Sequence, residues 1–229
     1  MDRRITNKIR YFLDEWLPPV LRDNYYFMYP LFYIWFRGKN IHQLMEFKSF
    51  FHTMSEEDMT RLYDGLKDQF RRREGDLSSL CLQRMLEWTE PEVSTVLDVG
   101  CGRGHLLEAY RSHGFDVSGV DLVNNLDDPG ITFHQGGIES LPFPDNSFDL
   151  VTCSHTLEHV INLAQAVAEL KRVAAKQLII CVPKQRYYYY TMDLHIQFFP
   201  TAAYLVAPLG LENYRIEDCG GDWVYEARL

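Results

Sequence analysis

The stretch "VLDVGCGRG", residues 96–104, decides the fold of this chain. It joins a short apolar strand to the helical segment "HLLEAYRSHG", and its glycines at 100, 102 and 104 are spaced G-x-G-x-G. The dinucleotide fingerprint G-x-G-x-x-G would need glycine at position 105, where this chain has His105. A glycine turn before a helix still suits an anion, because the backbone can approach closely and the first N–H groups are available. The sequence therefore predicts a ligand loop that is a poor fit to a dinucleotide pyrophosphate.

Strands and helices alternate on both sides of this loop. The segments read as strands are "TVLDVG", "DVSGVD", "ITFHQG", "FDLVTCS" and "KQLIICVP", and "YRIEDCG" and "DWVYEARL" suit a closing antiparallel pair. A helix is predicted over "HTLEHVINLAQAVAELKRVA". This alternation predicts an α/β fold with a doubly wound, mostly parallel, seven-stranded sheet. Ligands of such sheets bind at the carboxyl ends of the strands, so we expect the site there.

Two carboxylates at predicted strand ends indicate the ligand. Asp98 lies beside the glycine loop, and a ligand that carries both an ammonium and a carboxylate matches a carboxylate next to free N–H groups. Asp121 ends the second strand, 17 residues after Gly104, where it can accept hydrogen bonds from both hydroxyls of a ribose. An amino-acid head joined to a ribose describes S-adenosylmethionine.

The combination of "VLDVGCGRG", the Asp121 strand end, "GGIESLPFPDNSFDLV" and "TCSHTLEHV" resembles the class I S-adenosylmethionine-dependent methyltransferases, and most closely their small-molecule branch, which includes ubiquinone-pathway enzymes. The resemblance covers about residues 90–185. It implies a Rossmann-like methyltransferase fold and a cofactor site in which one group of residues holds the methionine part: Asp98, Gly100, Cys101, Gly102 and Gly104.

The resemblance also implies the rest of the cofactor site. Asp121 would hold the ribose, Ile138 and Glu139 of the 137–141 turn would line the adenine, and Ser154 and His155 would flank the sulfonium. Relatives often have Asp where this chain has Gly137. Here Glu139 or a backbone carbonyl would have to accept the hydrogen bond from the adenine amino group.

The segment "SHTLEHV" leaves three interpretations open. On a helix, His155, Glu158 and His159 would share one face. An inverted zinc-peptidase site is a poor fit, because that motif needs another scaffold. His159 could pack in the core; His155 or His159 could be the catalytic base for methyl transfer to oxygen; or His155, Glu158, His159 and His195 could bind a divalent metal, with Zn, Fe or Mn favoured over Mg.

The segment after the fifth predicted strand faces the acceptor in this fold class. Arg186 could meet a phosphate or carboxylate, Tyr187 could stack on a sugar or an aromatic ring, and His195 lies on the same loop. Packing of the four tyrosines 187–190 against other aromatic residues is the alternative.

Charge and composition bound the remaining functions. The net charge is −9, which argues against nucleic acid as a partner, but residues 1–48 contain eight Lys or Arg and five Asp or Glu. We therefore predict a helical N-terminal extension at 1–90, acting as a lid, packing element or membrane-interface element, and a methyltransferase domain at 91–229. Five widely spaced cysteines without a Cys-x-x-Cys pair favour free thiols in a cytoplasmic protein, in peripheral contact with the inner face of a membrane if residues 1–48 are an anchor.

Together these features predict a methyltransferase acting on a small or lipid-linked acceptor of glycan or quinone type, more readily at oxygen than at nitrogen or carbon. A metal-dependent RNA 2′-O-methyltransferase and a non-catalytic cofactor-binding protein of the same fold remain alternatives. The oligomeric state and the acceptor itself have no signature in the sequence.

Overall fold

The computed structural model describes residues 12, 16–55, 57–62, 65 and 77–229. The chain divides into two compact units. One unit comprises the described part of residues 1–74 together with Gln185–Ile196, and the other comprises the described part of residues 75–184 together with Gln197–Leu229. The predicted division at residue 90 stays a prediction.

The larger unit contains a seven-stranded sheet. Its strands are β1 Thr95–Val99, β2 Asp116–Asp121, β3 Thr132–Gln135, β4 Phe148–Ser154, β5 Ala174–Pro183, β6 Tyr214–Asp218 and β7 Asp222–Arg228. Their order in the sheet is β3-β2-β1-β4-β5-β7-β6. Strands β1 to β5 pair in parallel, and β7 pairs antiparallel with both β5 and β6. The order reverses between β1 and β4, which places a ligand crevice at the carboxyl ends of those two strands. The fold class expected from the sequence is confirmed.

Helices cover both faces of this sheet. Because successive strand residues point to opposite faces, Val96 packs in one apolar cluster and Leu97 in the other. The cluster of Val96 also contains residues of Ser79–Glu87 and His105–Ser112, and the cluster of Leu97 contains residues of Leu163–Val173 and Ala202–Leu209.

The short helices of the smaller unit precede those four. They are α1 Pro19–Arg22, α2 Tyr25–Trp35, α3 Ile41–Met45 and α4 Phe47–Phe50, followed by a 3-10 turn at Phe51–Thr53; the four helices on the sheet are then α5 Ser79–Glu87, α6 His105–Ser112, α7 Leu163–Val173 and α8 Ala202–Leu209. No helix among the residues described is both long and apolar enough to cross a membrane.

Proline at position 30 of the segment "NYYFMYPLFYIWFRG" predicts a break there, and helix α2 corrects this expectation. Asn24 caps it by accepting a hydrogen bond from Phe27 N–H at 3.0 Å, and the helix then continues through Pro30 rather than breaking there. Proline removes the donor to the carbonyl four residues earlier, which here belongs to the exposed Tyr26, so the loss is not a buried one. The sequence also predicts an amphipathic helix over residues 7–17, which lie largely outside the described residues.

The segment after β4 corrects a second expectation. Residues 155–162 do not extend the following helix: Leu157–His159 form a 3-10 turn, and α7 begins at Leu163, where Asn162 caps it through Gln165 N–H at 3.2 Å. His155, Glu158 and His159 therefore do not share the face of an α-helix. All five cysteines are buried and free, as their spacing predicted.

Candidate active site

Asp98 lies buried near the carboxyl end of β1, paired in register with Thr152 of β4. The Thr152 hydroxyl donates a hydrogen bond to the Asp98 carboxylate at 2.8 Å. Burial raises the pKa of Asp98 to about 7, the nearby charge of Asp121 adds to this effect, and the Thr152 hydrogen bond opposes it. A buried carboxylate with this pKa is stabilised by a cation, such as the ammonium group of an amino acid.

The glycine loop turns directly over the end of β4. Gly100 has φ +76°, and a Cβ atom added there would lie 2.1 Å from Thr156 Oγ1, so only glycine fits. Its N–H, with that of Cys101, donates to the Val120 carbonyl, which ties the loop to β2. Gly104 then caps α6, whose first-turn N–H groups have no partner within the helix. The loop has the geometry needed to receive a carboxylate.

Asp121 holds the other side of the loop. Its two carboxylate oxygens accept hydrogen bonds from Gly102 N–H at 2.8 Å and Leu122 N–H at 2.7 Å. Burial raises its pKa, although the backbone hydrogen bonds act in the opposite direction. A carboxylate has about four lone-pair sites, so Asp121 can still accept a hydrogen bond from a ligand hydroxyl. Asp98, the loop and Asp121 thus meet at neighbouring strand ends, as the sequence predicted.

The turn predicted to line the adenine is fixed by helix α7. Glu169 accepts a hydrogen bond from Leu141 N–H at 2.7 Å, and Arg172 donates to the carbonyls of Leu141 at 3.1 Å and Phe143 at 2.7 Å. The Glu139 carboxylate accepts a hydrogen bond from the N–H of Asn162 at 2.8 Å. Glu139 therefore has a structural partner, and its assignment to the adenine stays a prediction, as does that of the neighbouring Ile138.

His155 follows Ser154 at the end of β4 in a left-handed conformation, with φ +52°. Its N–H donates to the Cys181 carbonyl at 2.8 Å, which extends the β4–β5 ladder by one residue. Its ring lies between two carboxylates: Nδ1 is 3.4 Å from Glu158 Oε1, and Nε2 is 3.9 Å from Asp222 Oδ2. An imidazolium formed at this position would be stabilised by both acids.

The other candidate residues are distributed over the two units. His159, half-buried in the larger unit, donates its N–H to the Thr156 carbonyl at 3.0 Å. His195 belongs to the smaller unit, where its Nδ1 lies 2.6 Å from Gln185 Oε1. Arg186 and Tyr187 belong to that unit as well and are exposed. The assignment of catalytic, substrate and metal roles to these residues stays a prediction.

Three residues of the site were not identified from the sequence. Thr152 hydrogen-bonds Asp98, Thr156 lies against Gly100, and Asp222 lies beside His155. Strand alignment could have paired Thr152 with Asp98, because both lie in the last part of their strands. Nothing in the local sequence distinguishes Asp222, which reaches His155 only because β7 pairs antiparallel with β5 and places Asp222 opposite Pro183.

Comparison with known proteins agrees with this geometry. Residues 97–181 match the family model described as a methyltransferase domain. The chain is 42% identical over 84 residues to demethylmenaquinone methyltransferase of Renibacterium salmoninarum, which covers 34% of this chain and 35% of that protein. It is 41% identical over 75 residues to ubiquinone biosynthesis O-methyltransferase of Coxiella burnetii, covering 28% and 32%. The chain thus spans about a third of the length of these curated relatives.

A solved structure extends the similarity of fold. A methyltransferase of Thermotoga maritima, described as a possible histamine N-methyltransferase, superimposes with a TM-score of 0.60 at 16% identity, over 73% of this chain and 98% of that one. With the strand order and the glycine loop, these matches give one conclusion: residues 97–181 match a methyltransferase domain, and the larger unit has the fold of class I S-adenosylmethionine-dependent methyltransferases.

Proposed function

We propose that this protein transfers the methyl group of S-adenosylmethionine to a small or lipid-linked acceptor, at an oxygen atom of a glycan or quinone type. The observation that carries the proposal is the convergence of buried Asp98, the Gly100–Gly104 loop and Asp121 at the switch point of the sheet. The quinone-pathway names of two relatives support the acceptor class. Each of these matches covers about a third of the chain, so the choice of acceptor atom rests on chemistry.

The residues present fit the cofactor. Asp98 offers a buried carboxylate to the ammonium, the first turn of α6 offers N–H groups to the carboxylate, and Asp121 offers lone pairs to the ribose. When bound, S-adenosylmethionine supplies an electrophilic methyl group on a cationic sulfur. The protein has then to hold an acceptor oxygen in line with that group and to remove its proton.

His155 is the residue proposed to remove that proton. Its position one residue after β4, at the carboxyl edge of the sheet, supports this role, and Glu158 and Asp222 would stabilise the imidazolium that forms. Its Nε2 also lies 3.9 Å from Cys181 Sγ, so acceptance of a proton requires one ring nitrogen to exchange its present neighbour for the acceptor hydroxyl. His159 is the second candidate for this base. The third form of the proposal is a divalent metal with His195 among its ligands.

Peripheral membrane contact is the second part of the proposal, with the protein at the inner, cytoplasmic face of a membrane. Helix α2 exposes Tyr26, Tyr33 and Ile34, with side-chain exposures of 85%, 55% and 75%. These positions recur at helical spacing on one side, while Met28 and Phe32 are buried on the other. Exposed cations at positions 37 and 39 follow the helix. Aromatic residues beside cations suit the headgroup layer of an anionic bilayer.

The test combines cofactor binding with a product search. Calorimetry should show S-adenosylmethionine binding to the purified chain, weakened roughly 10-fold to 100-fold by Asp121→Ala, because ribose hydroxyls lose an acceptor. Asp116→Ala, at the opposite end of β2, is the matched control and should bind normally.

Mass spectrometry of a panel of quinone precursors, glycans and RNA should then find the added methyl group on a quinone or glycan oxygen. Methylation confined to RNA would replace the acceptor class with the first alternative. Tight cofactor binding with no methylated product in any class would favour the non-catalytic alternative.

A further inference from the structure

Two cationic side chains of the smaller unit converge on one dipeptide. Arg22, at the end of α1, donates from Nη2 to the Tyr187 carbonyl at 3.2 Å. Lys48, in α4, donates from Nζ to the carbonyl of the next residue, Tyr188. The sequence separations are 165 and 140 residues, so tertiary folding alone brings these groups together.

Arg22 is incompletely satisfied in its present surroundings. Its side chain is 7% exposed, and its Nε is buried without a hydrogen-bond partner among the residues that the structure describes. The guanidinium carbon lies 5.4 Å from the centre of the Tyr188 ring, which stabilises the charge but accepts no conventional hydrogen bond. A buried cation with an unused donor is costly unless an acceptor can reach it.

Lys48 lies between the buried interior and an exposed ring. Its Nζ is 4.8 Å from the centre of the Tyr187 ring, whose residue is 57% exposed. Burial lowers the pKa of Lys48 to about 7, and the charge of Asp23 opposes the shift. An anion that approached beneath the Tyr187 ring would restore the protonated form of Lys48, because opposite charge favours ionisation.

Asp23 follows Arg22 in the chain, and its Oδ1 accepts the N–H of Tyr189 at 2.7 Å. Its charge acts on Lys48 and opposes the effect of burial on the pKa of that residue.

From this arrangement we infer that Arg22 and Lys48 form a binding site for a phosphate group, reached past the exposed ring of Tyr187. The inference rests on the proposed function in one respect, since it identifies the acceptor as a phosphate-bearing molecule. Two cations, one of them a planar guanidinium, match the charge and the acceptor oxygens of a phosphate. The alternative is a purely structural role, in which both cations only hold the two carbonyls.

The experiment uses the full chain and inorganic phosphate as the probe. Calorimetric titration at constant ionic strength should show saturable binding, weakened roughly tenfold or more in Arg22→Gln and in Lys48→Gln. Lys48→Arg, which keeps the charge, should retain most of the affinity. Arg61→Gln removes an exposed cation of the same unit and is the matched control, with affinity unchanged.

Folding is checked by circular dichroism and by S-adenosylmethionine binding, which all four variants should retain. Equal phosphate affinity in the wild type, Arg22→Gln and Lys48→Gln would overturn the inference, and so would weak, non-saturable phosphate binding in the wild type.

Vesicles of phosphatidylglycerol separate the two sources of the phosphate group. If Arg22→Gln and Lys48→Gln weaken binding to the vesicles as well as to free phosphate, the site accepts a lipid headgroup. If they weaken only the binding of free phosphate, the site serves a soluble phosphate-bearing molecule.

The readouts are independent of methyl transfer. Phosphate binding that depends on Arg22 and Lys48, with no methylated acceptor found, would uphold the site and leave the proposed function without support. Methylation of an uncharged acceptor, with equal phosphate affinity in all variants, would support the proposed function and overturn the phosphate site.

Discussion

At the scale of single residues, the glycine loop at 100–104 needs two positions that carry no side chain. Gly100 is required because Thr156 occupies the space that a side chain would need, whereas Gly102 has φ +51° and open space where a Cβ atom would lie. Two glycines of one motif are therefore required for different physical reasons.

Gly100→Ala should lose S-adenosylmethionine binding, because both the left-handed backbone and the contact with Thr156 oppose the new methyl group. Gly102→Ala faces only the backbone cost, roughly 1–2 kcal/mol, and should lose about tenfold in affinity. Calorimetry compares the two, with thermal unfolding as the folding control. A greater loss for Gly102→Ala than for Gly100→Ala would contradict these roles of the two glycines.

Asp98 should make both stability and cofactor affinity depend on pH. Its pKa is raised to about 7 in the folded protein from about 3.9 when unfolded, so the folded state binds more protons between these values. Stability without cofactor should therefore fall as the pH rises from about 4 to about 7. S-adenosylmethionine affinity should change the opposite way, because the ammonium needs the ionised carboxylate.

Asp98→Asn removes both effects. The variant should have a higher free energy of unfolding than the wild type near pH 8, by roughly 1–3 kcal/mol, and this difference should vanish near pH 4. Its S-adenosylmethionine affinity should be low at every pH. Urea unfolding and calorimetry across the pH range provide the measurement, and a variant that binds the cofactor as well as the wild type would refute the ammonium assignment.

At the scale of elements, helix α2 shows how one segment serves two environments. Its buried side contributes Met28 and Phe32 to the core, and its exposed side presents Tyr26, Tyr33 and Ile34. Proline at position 30 does not interrupt it, because the carbonyl deprived of a donor lies on the exposed side.

The exposed side of α2 should govern binding to anionic vesicles. Tyr26→Ser and Ile34→Ser should each reduce co-sedimentation of the full chain by roughly tenfold. Each change removes an apolar side chain whose burial in the bilayer would contribute about 1.5–3 kcal/mol to binding. Tyr204→Ser, on the exposed part of α8, is a control with no expected effect. Full-length protein that stays in the supernatant at low salt would eliminate the membrane proposal.

At the scale of the whole molecule, the metal content of the purified protein distinguishes a catalytic base from a metal site. If His155 is the base, the tag-free chain should contain substoichiometric metal and remain active in chelator, and His155→Ala should lower kcat by roughly 10²–10⁴. A metal site would behave differently: His159→Ala and His195→Ala would each abolish most activity, their combination would cost little more, and chelation would mimic both. Elemental analysis by mass spectrometry, with turnover in chelator, separates these outcomes.

If His159 serves only in packing, a third pattern follows from the same set of variants. His159→Ala should then lower thermal stability more than turnover.

The accuracy of the sequence interpretation differed between residues for physical reasons. The strands from Thr95 to Pro183 were recognised because buried parallel strands have continuous apolar runs, and their mostly parallel pairing was predicted from the alternation with helices. The helix over 155–162 was wrong, because residues at the end of a strand that continue its ladder, as His155 does with Cys181, cannot also begin a helix. The helical face predicted for His155 and His159 therefore does not form.

By itself, the sequence determined the fold class, the position of the glycine loop and the strand-end positions of Asp98 and Asp121, because these depend on local spacing: glycines adjacent to a strand and acids at strand ends. Only the tertiary structure decided what surrounds them. Thr156 reaches Gly100, Asp222 reaches His155, and Arg22 and Lys48 reach Tyr187 and Tyr188, across separations for which no periodicity exists. Contacts of this kind follow from strand pairing and core packing, which a linear pattern does not encode.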